Sequence, residues 1–211
     1  MPNIEQILYI LSYSAIPVLL AITVHEVAHG WTAKKFGDRT AEMMGRLTLN
    51  PAKHIDPVGT IGLPVLLLIL SAPFLFGWAK PVPVAERNLK NPHRDMIWVA
   101  LAGPVSNILM ALIWMIVYRA SAGSGFFGSM ALIGIQINLI LAVLNLLPIP
   151  PLDGGRVVKG MMPPKQSGLF DSIEPYGLII VMLLLFTGVL GPILRPAIDF
   201  LASVLFTLTG G

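Results

Sequence analysis

His25, Glu26 and His29 stand in the pattern HEVAHG, at the end of a long apolar run. Histidines four residues apart project from one face of a helix. Two imidazoles so placed can grip a single Zn²⁺ at about 2.0–2.1 Å per nitrogen. Glu26 lies beside them and can take a proton from a zinc-bound water, whose pKa the metal lowers toward about 7. It can then hand that proton to a leaving amine, which is the chemistry of peptide hydrolysis. The same pattern arises by chance on surface helices of soluble proteins. Here it closes a run of membrane-spanning length, where ionisable groups are costly and functional by default.

Two histidines leave a zinc protease one protein ligand short. The chain has four histidines, so the candidates are His54, His93 or a carboxylate. Asp153 is the best placed. It follows Pro148, Pro150 and Pro151 and precedes Gly154 and Gly155, so it projects from irregular backbone at a helix end. An Asp-Gly turn at a membrane boundary explains the same residues equally well.

The elements that must position these groups are read from composition. Of 211 residues, 55% are hydrophobic and 12% charged, against about 25% charged in a soluble domain. Apolar runs of about 20 residues recur, enough to cross a hydrocarbon core of about 30 Å. The expectation is one all-α polytopic membrane domain over residues 1–211, a helix bundle with a re-entrant segment and a minor β element on the cytoplasmic side. Absence of cysteine excludes disulfides, thiolate ligands and a cysteine nucleophile. The net charge of +3 is small and argues against a nucleic-acid surface. The N-terminus lacks a basic n-region and a small-residue cleavage site, so the first apolar run is expected to be retained.

That first run extends from Ile7 through His25 to Phe36, with Pro17 inside it. Lys34, Lys35 and Arg39 cluster at its end and place that end, with the site, in the cytoplasm. Further spans are expected at Met96–Tyr118, Met130–Leu147 and Tyr176–Leu194, with 197–208 as a short apolar tail. Val58–Trp78 is apolar but carries Gly59, Gly62, Pro64, Pro73 and Gly77. If it crossed, the loop bearing Lys80, Arg87, Lys90 and Arg94 would lie outside, and Asp153 would face away from His25 and His29. A segment that enters and returns removes both conflicts.

The segments HEVAHG, AGPVSN and NLLPIPPLDGG together resemble the site-2 protease family of intramembrane metalloproteases. GRLTLNPAKHIDPVGT and GWAKPVPV extend the likeness to its short prokaryotic members, and PDZ or CBS domains do not fit in this length. The resemblance implies one zinc held by His25, His29 and Asp153, with Glu26 as catalytic acid/base. It also implies that Asn145, eight residues before Asp153, orients substrate or stabilises the oxyanion, a contact whose loss costs about 10²–10³ in rate. A helix-capping role for Asn145 is the alternative. The implied reaction is hydrolysis of peptide bonds in or near transmembrane segments of membrane-protein substrates, within the lipid of a cell membrane. A membrane transporter or channel and an inactive protease-like scaffold that binds transmembrane partners are the rival classes.

Other polar residues have ordinary explanations. Gln136 and Asn138 suit interhelical hydrogen bonds, and Gly103-Pro104 and Ser106-Asn107 suit close packing, with Asn107 equally able to reach the site. His54 reads as structural and His93 as solvated. Trp31, Trp78 and Trp98 suit an interfacial belt. Residues 44–50 and 78–84 alternate in the manner of short strands, whose edge would hold an unwound substrate by β-addition. Proline at Leu47 or Val82 is then expected to slow cleavage with zinc still bound; unchanged cleavage in both variants would sink the idea.

Overall fold

The structure, a computed structural model, describes residues 4–70, 72 and 76–210. The first run forms one helix, α1 (Ile4–Lys35), which continues through Pro17. Gly37 then adopts φ +112°, a backbone open to glycine, and turns the chain off the helix axis. A single turn follows, α2 (Thr40–Met43). The next helix begins as a wide turn at Pro57–Gly62 and continues as α3 (Leu63–Ile69). Asp56 starts it by accepting hydrogen bonds from the Val58 and Gly59 amides. Two long helices, α4 (Pro92–Ala120) and α5 (Gly125–Asn145), pack on each other and on α1 to form the bundle. The short α6 (Asp153–Met161) leads to α7 (Pro164–Phe186) and α8 (Leu190–Leu208).

Among the described residues, four helices are long and apolar enough to cross a membrane: Leu11–Lys35, α4, α5 and α8. Lipid supplies no hydrophobic drive for helix association, so small and polar residues do much of the joining. Gly134 on α5 abuts the Trp114 indole on α4, where an added Cβ would fall 2.4 Å from the ring. At the far end, Arg119 on α4 donates to the Phe206 carbonyl of α8 and, just past that helix, to Thr209 Oγ1 and the Gly210 carbonyl. Those bonds set the C-terminal ends of α4 and α8 side by side.

The expected span Tyr176–Leu194 is not one helix. Its apolar run continues through Gly188, but that residue adopts φ +74° and ends α7, with its amide on the Leu185 carbonyl. The fourth membrane-length helix is α8 instead, and residues 197–208, expected as a tail, form its second half. The segment Val58–Trp78 leaves and comes back: the Trp78 amide donates to the Gly59 carbonyl at 3.2 Å, and Thr60 Oγ1 donates to the Trp78 carbonyl. Its residues 71 and 73–75, Pro73 included, lie outside the described residues.

The expected β element is absent: no strand forms among the described residues. Gly45 adopts φ +62° and breaks the alternation at 45–49. Residues 76–85 are extended but make no ladder, for two reasons. Pro81 and Pro83 have no N–H. Four other amides bond elsewhere, Trp78 to the Gly59 carbonyl, Lys80 to the His54 carbonyl, Val82 to Glu26 and Ala85 to Asp38.

Asp38 fastens this extended strap to the end of α1. Its Oδ1 accepts from the Thr40 amide and hydroxyl and from Asn88, and its Oδ2 from the Ala85 amide. Burial pushes the Asp38 carboxyl up, but the bonds from Thr40, Asn88 and Ala85 more than offset this and hold it below its ordinary value. A depressed value contributes stability above the unfolded pKa of about 4 and withdraws it as pH falls through the folded value. Asp38→Asn is therefore expected to lower thermal stability in detergent at neutral pH and to flatten its decline below pH about 4. A melting profile that keeps the wild-type acid limb would assign that limb to other groups.

Candidate metal centre

His25 and His29 lie one turn apart on α1, and both are buried. Each ring is fixed by its outer nitrogen. His25 Nδ1 donates to Asn107 Oδ1 at 2.6 Å, and His29 Nδ1 donates to the Val99 carbonyl at 2.7 Å. The orientation of the Asn107 amide is itself determined, because its Nδ2 donates to the Ala21 carbonyl and to Asn138 Oδ1. Asn138 in turn donates to the Gly134 carbonyl. With both Nδ1 atoms protonated, the neutral rings present their Nε2 lone pairs inward.

The third group comes from the loop after α5. Pro148, Pro150 and Pro151 stop that helix, and α6 begins at Asp153 itself. Gly154 and Gly155 let α6 start against the loop, since a Cβ on either would fall within 2.3–2.6 Å of backbone at Leu146 or Pro150. Asp153 is thereby buried with Oδ2 at 3.2 Å from His25 Nε2 and 3.3 Å from His29 Nε2. The two Nε2 atoms are 3.0 Å apart.

The donor set fits a zinc ion. Three lone-pair atoms converge, and Asp153 Oδ2 is buried with no hydrogen-bond partner. Their mutual spacing of 3.0–3.3 Å is close to the edge of a tetrahedron whose centre lies about 2.0–2.1 Å from each ligand. Gly103 on α4 leaves the space: an added Cβ would fall 2.4 Å from His29 Nε2 and 2.6 Å from His25 Nε2.

Glu26 adjoins the cluster in sequence and is held from outside it, its Oε2 accepting from the Val82 amide at 2.7 Å. Val82 is buried, and its side chain seats on Gly30, where a Cβ would come within 2.8 Å of it. Asn145 is not drawn into the cluster by hydrogen bonding; its Nδ2 donates to the Leu141 carbonyl one turn back. His54 is buried, with Nε2 against the Thr48 carbonyl, and His93 is exposed. Asn138 makes the interhelical bond expected of it, whereas Gln136 is exposed. Sequence reasoning missed the Val99 carbonyl, the Val82 amide and the space at Gly103. Only the last left a signal, a glycine–proline pair inside an apolar span.

Residues 13–131 and 115–188 match the profile of peptidase family M50. A Bacillus subtilis protein named as a candidate zinc metalloprotease, YwhC, is 40% identical over 201 residues, covering 91% of this chain and 88% of the relative. Rip2 of Mycolicibacterium smegmatis, named likewise, is 33% identical over 82% of this chain and 66% of its own length. MJ0611 of Methanocaldococcus jannaschii, also so named, is 29% identical over 75% of this chain and 74% of its own. No solved structure matches the chain.

The space at Gly103 gives a direct test. Gly103→Ala places a methyl against both Nε2 atoms and is expected to reduce zinc per chain well below the wild-type value. Gly168→Ala, where nothing lies within 4 Å, is expected to retain it. Full zinc in folded Gly103→Ala, measured by elemental analysis, would show that the centre does not need that space.

Proposed function

The chain belongs to peptidase family M50, and from that premise we propose that it is an intramembrane zinc metalloprotease cleaving transmembrane segments of membrane proteins. The observation that carries the reading is the convergence of His25 Nε2, His29 Nε2 and Asp153 Oδ2, with both outer histidine protons committed elsewhere. The protein is a multi-pass membrane protein with zinc as its cofactor.

His25, His29 and Asp153 would hold the metal. Zinc bound there supplies Lewis-acid activation of water and of the peptide carbonyl. Glu26 takes the proton of the attacking water and returns it to the leaving nitrogen. The Val82 amide occupies Oε2, which leaves Oε1 as the oxygen free to carry that proton. Asn145 serves the substrate carbonyl on this reading through the second N–H of its Nδ2, the first being committed to the Leu141 carbonyl. His25 and His29 are kept in the metal-binding tautomer by Asn107 and Val99 throughout.

The orientation follows from charge. Lys34, Lys35 and Arg39 end α1, and Lys80, Arg87, Lys90 and Arg94 flank the start of α4. By the positive-inside rule that face is cytoplasmic. The segment Val58–Trp78, which returns to its own start, then dips in from the cytoplasmic side without crossing. Water and a partly unwound substrate reach the centre from that face.

The test is cleavage of a panel of single-span substrates by purified protein in detergent, beside Glu26→Gln, with zinc measured in both. One zinc per chain in each and cleavage by wild type alone is the expected result. Zinc carried by both without any cleavage would favour a scaffold, and a folded protein without zinc would overturn the centre itself.

A further inference from the structure

A cavity of about 270 Å³ opens between the strap and the start of α6. Residues 81–84 of the strap form one wall, and Pro150, Pro151 and Gly155 another. It is therefore bounded by the segment that holds Glu26 and by the segment that carries Asp153. Both walls thus belong to segments that also reach the metal cluster.

The donors inside the cavity are few. Pro81 and Pro83 have no N–H, and the Val82 amide is committed to Glu26. Two cations line the space, Arg156 and Lys159, both partly buried. Lys159 is already compensated: its Nζ lies 2.6 Å from Asp171 Oδ1, and the carboxylates of Glu86 and Glu174 add to Asp171 in raising its pKa. Glu86 and Glu174 also line the cavity and are exposed. Arg156 differs. Three residues beyond Asp153, its guanidinium makes no hydrogen bond and no ion pair among the described residues. A partly buried cation with no partner is suited to a planar anion with two oxygens.

We propose that this cavity is a substrate subsite in which Arg156 recognises an acidic side chain on the cytoplasmic flank of the substrate's transmembrane segment. The proposal rests on the proteolytic reading above and names the specificity of the same site. Arg156 acts on binding and register; it holds no metal and moves no proton.

The test uses single-span peptides blocked at both termini, so that only a side chain can supply a carboxylate. Asp, Asn or Lys is placed in turn at each position of the flanking sequence. Wild type is expected to cleave the Asp peptide about fivefold faster than the Lys peptide at one or two adjacent positions. Arg156→Gln is expected to bring that ratio near one, and Arg156→Glu to invert it. Arg195→Gln, an exposed cation on α8, serves as the control and should leave the ratio as in wild type. The same peptides are titrated onto zinc-loaded Glu26→Gln by fluorescence anisotropy, which reads the preference without cleavage. Cleavage with a ratio near one at every position would overturn the subsite and leave the protease standing. Absence of cleavage together with an Asp preference in binding would keep the subsite and remove the protease. Binding indifferent to charge would overturn the subsite whatever the cleavage result.

Discussion

Three lone pairs directed at one buried point repel one another, and much of the bundle exists to hold them there. His25 Nε2, His29 Nε2 and Asp153 Oδ2 lie 3.0–3.3 Å apart. Protonation of an inner nitrogen would ease the repulsion, but the neutral rings have spent their protons on Asn107 and Val99. A cation is the remaining remedy, and Gly103 keeps room for one. The bonds that enforce this arrangement also join the helices. Asn107 on α4 reaches His25 and the Ala21 carbonyl on α1, and Asn138 on α5. In a lipid setting, where apolar contact between helices gains little over contact with lipid, such a relay serves both cohesion and metal affinity. Removing Asn107 would therefore disturb two properties that are separable in a soluble enzyme.

The base is positioned by other means. Glu26 sits on the same helix as two ligands, yet its carboxylate is fixed by a loop more than fifty residues away. The strap can do this because proline on each side of Val82 confines the backbone to extended conformations. Asp38 ties one end of it to α1, and the His54 carbonyl holds the Lys80 amide at the other. Helix α1 thus supplies two of the three candidate metal ligands, and a clasped loop supplies the register of the proposed base. The groups that would hold a metal and the carboxylate proposed as base are therefore fixed by different contacts.

The part of the site written in local spacing was legible in the sequence. His25, Glu26 and His29 follow from a one-turn repeat at the end of an apolar run. Asp153 was one of several candidates, because the loop that carries it reads equally well as an ordinary Asp-Gly turn; only the tertiary arrangement brings it to the histidines. Asn107 was undecided for the same reason, since helix periodicity does not say which neighbour a buried amide meets. The strap was misread because Val and Pro in alternation mimic a period of two, while proline forbids the ladder that period suggests. The fourth membrane-length helix was misplaced because hydropathy passes smoothly over Gly188, and the positive φ that ends α7 there leaves no trace in an apolar average.

The attachment of α7 gives the Asp153 loop a second dependence. Gly177 lies directly on the Pro150 carbonyl, with no room for a Cβ. Four residues on, Val181 packs with Val143, Leu144, Leu190 and Leu194. Phe170 and Glu174, one to two turns earlier, line the cavity that Arg156 enters. One helix therefore touches the loop presenting the third ligand, the end of α5 from which that loop springs, and the cavity beside both. A displacement of α7 cannot leave the Pro150 backbone unchanged, because no flexible side chain intervenes to absorb it. The cavity and the loop that carries Asp153 thus share α7 as a common neighbour, whereas Glu26 is held by the strap on the opposite wall.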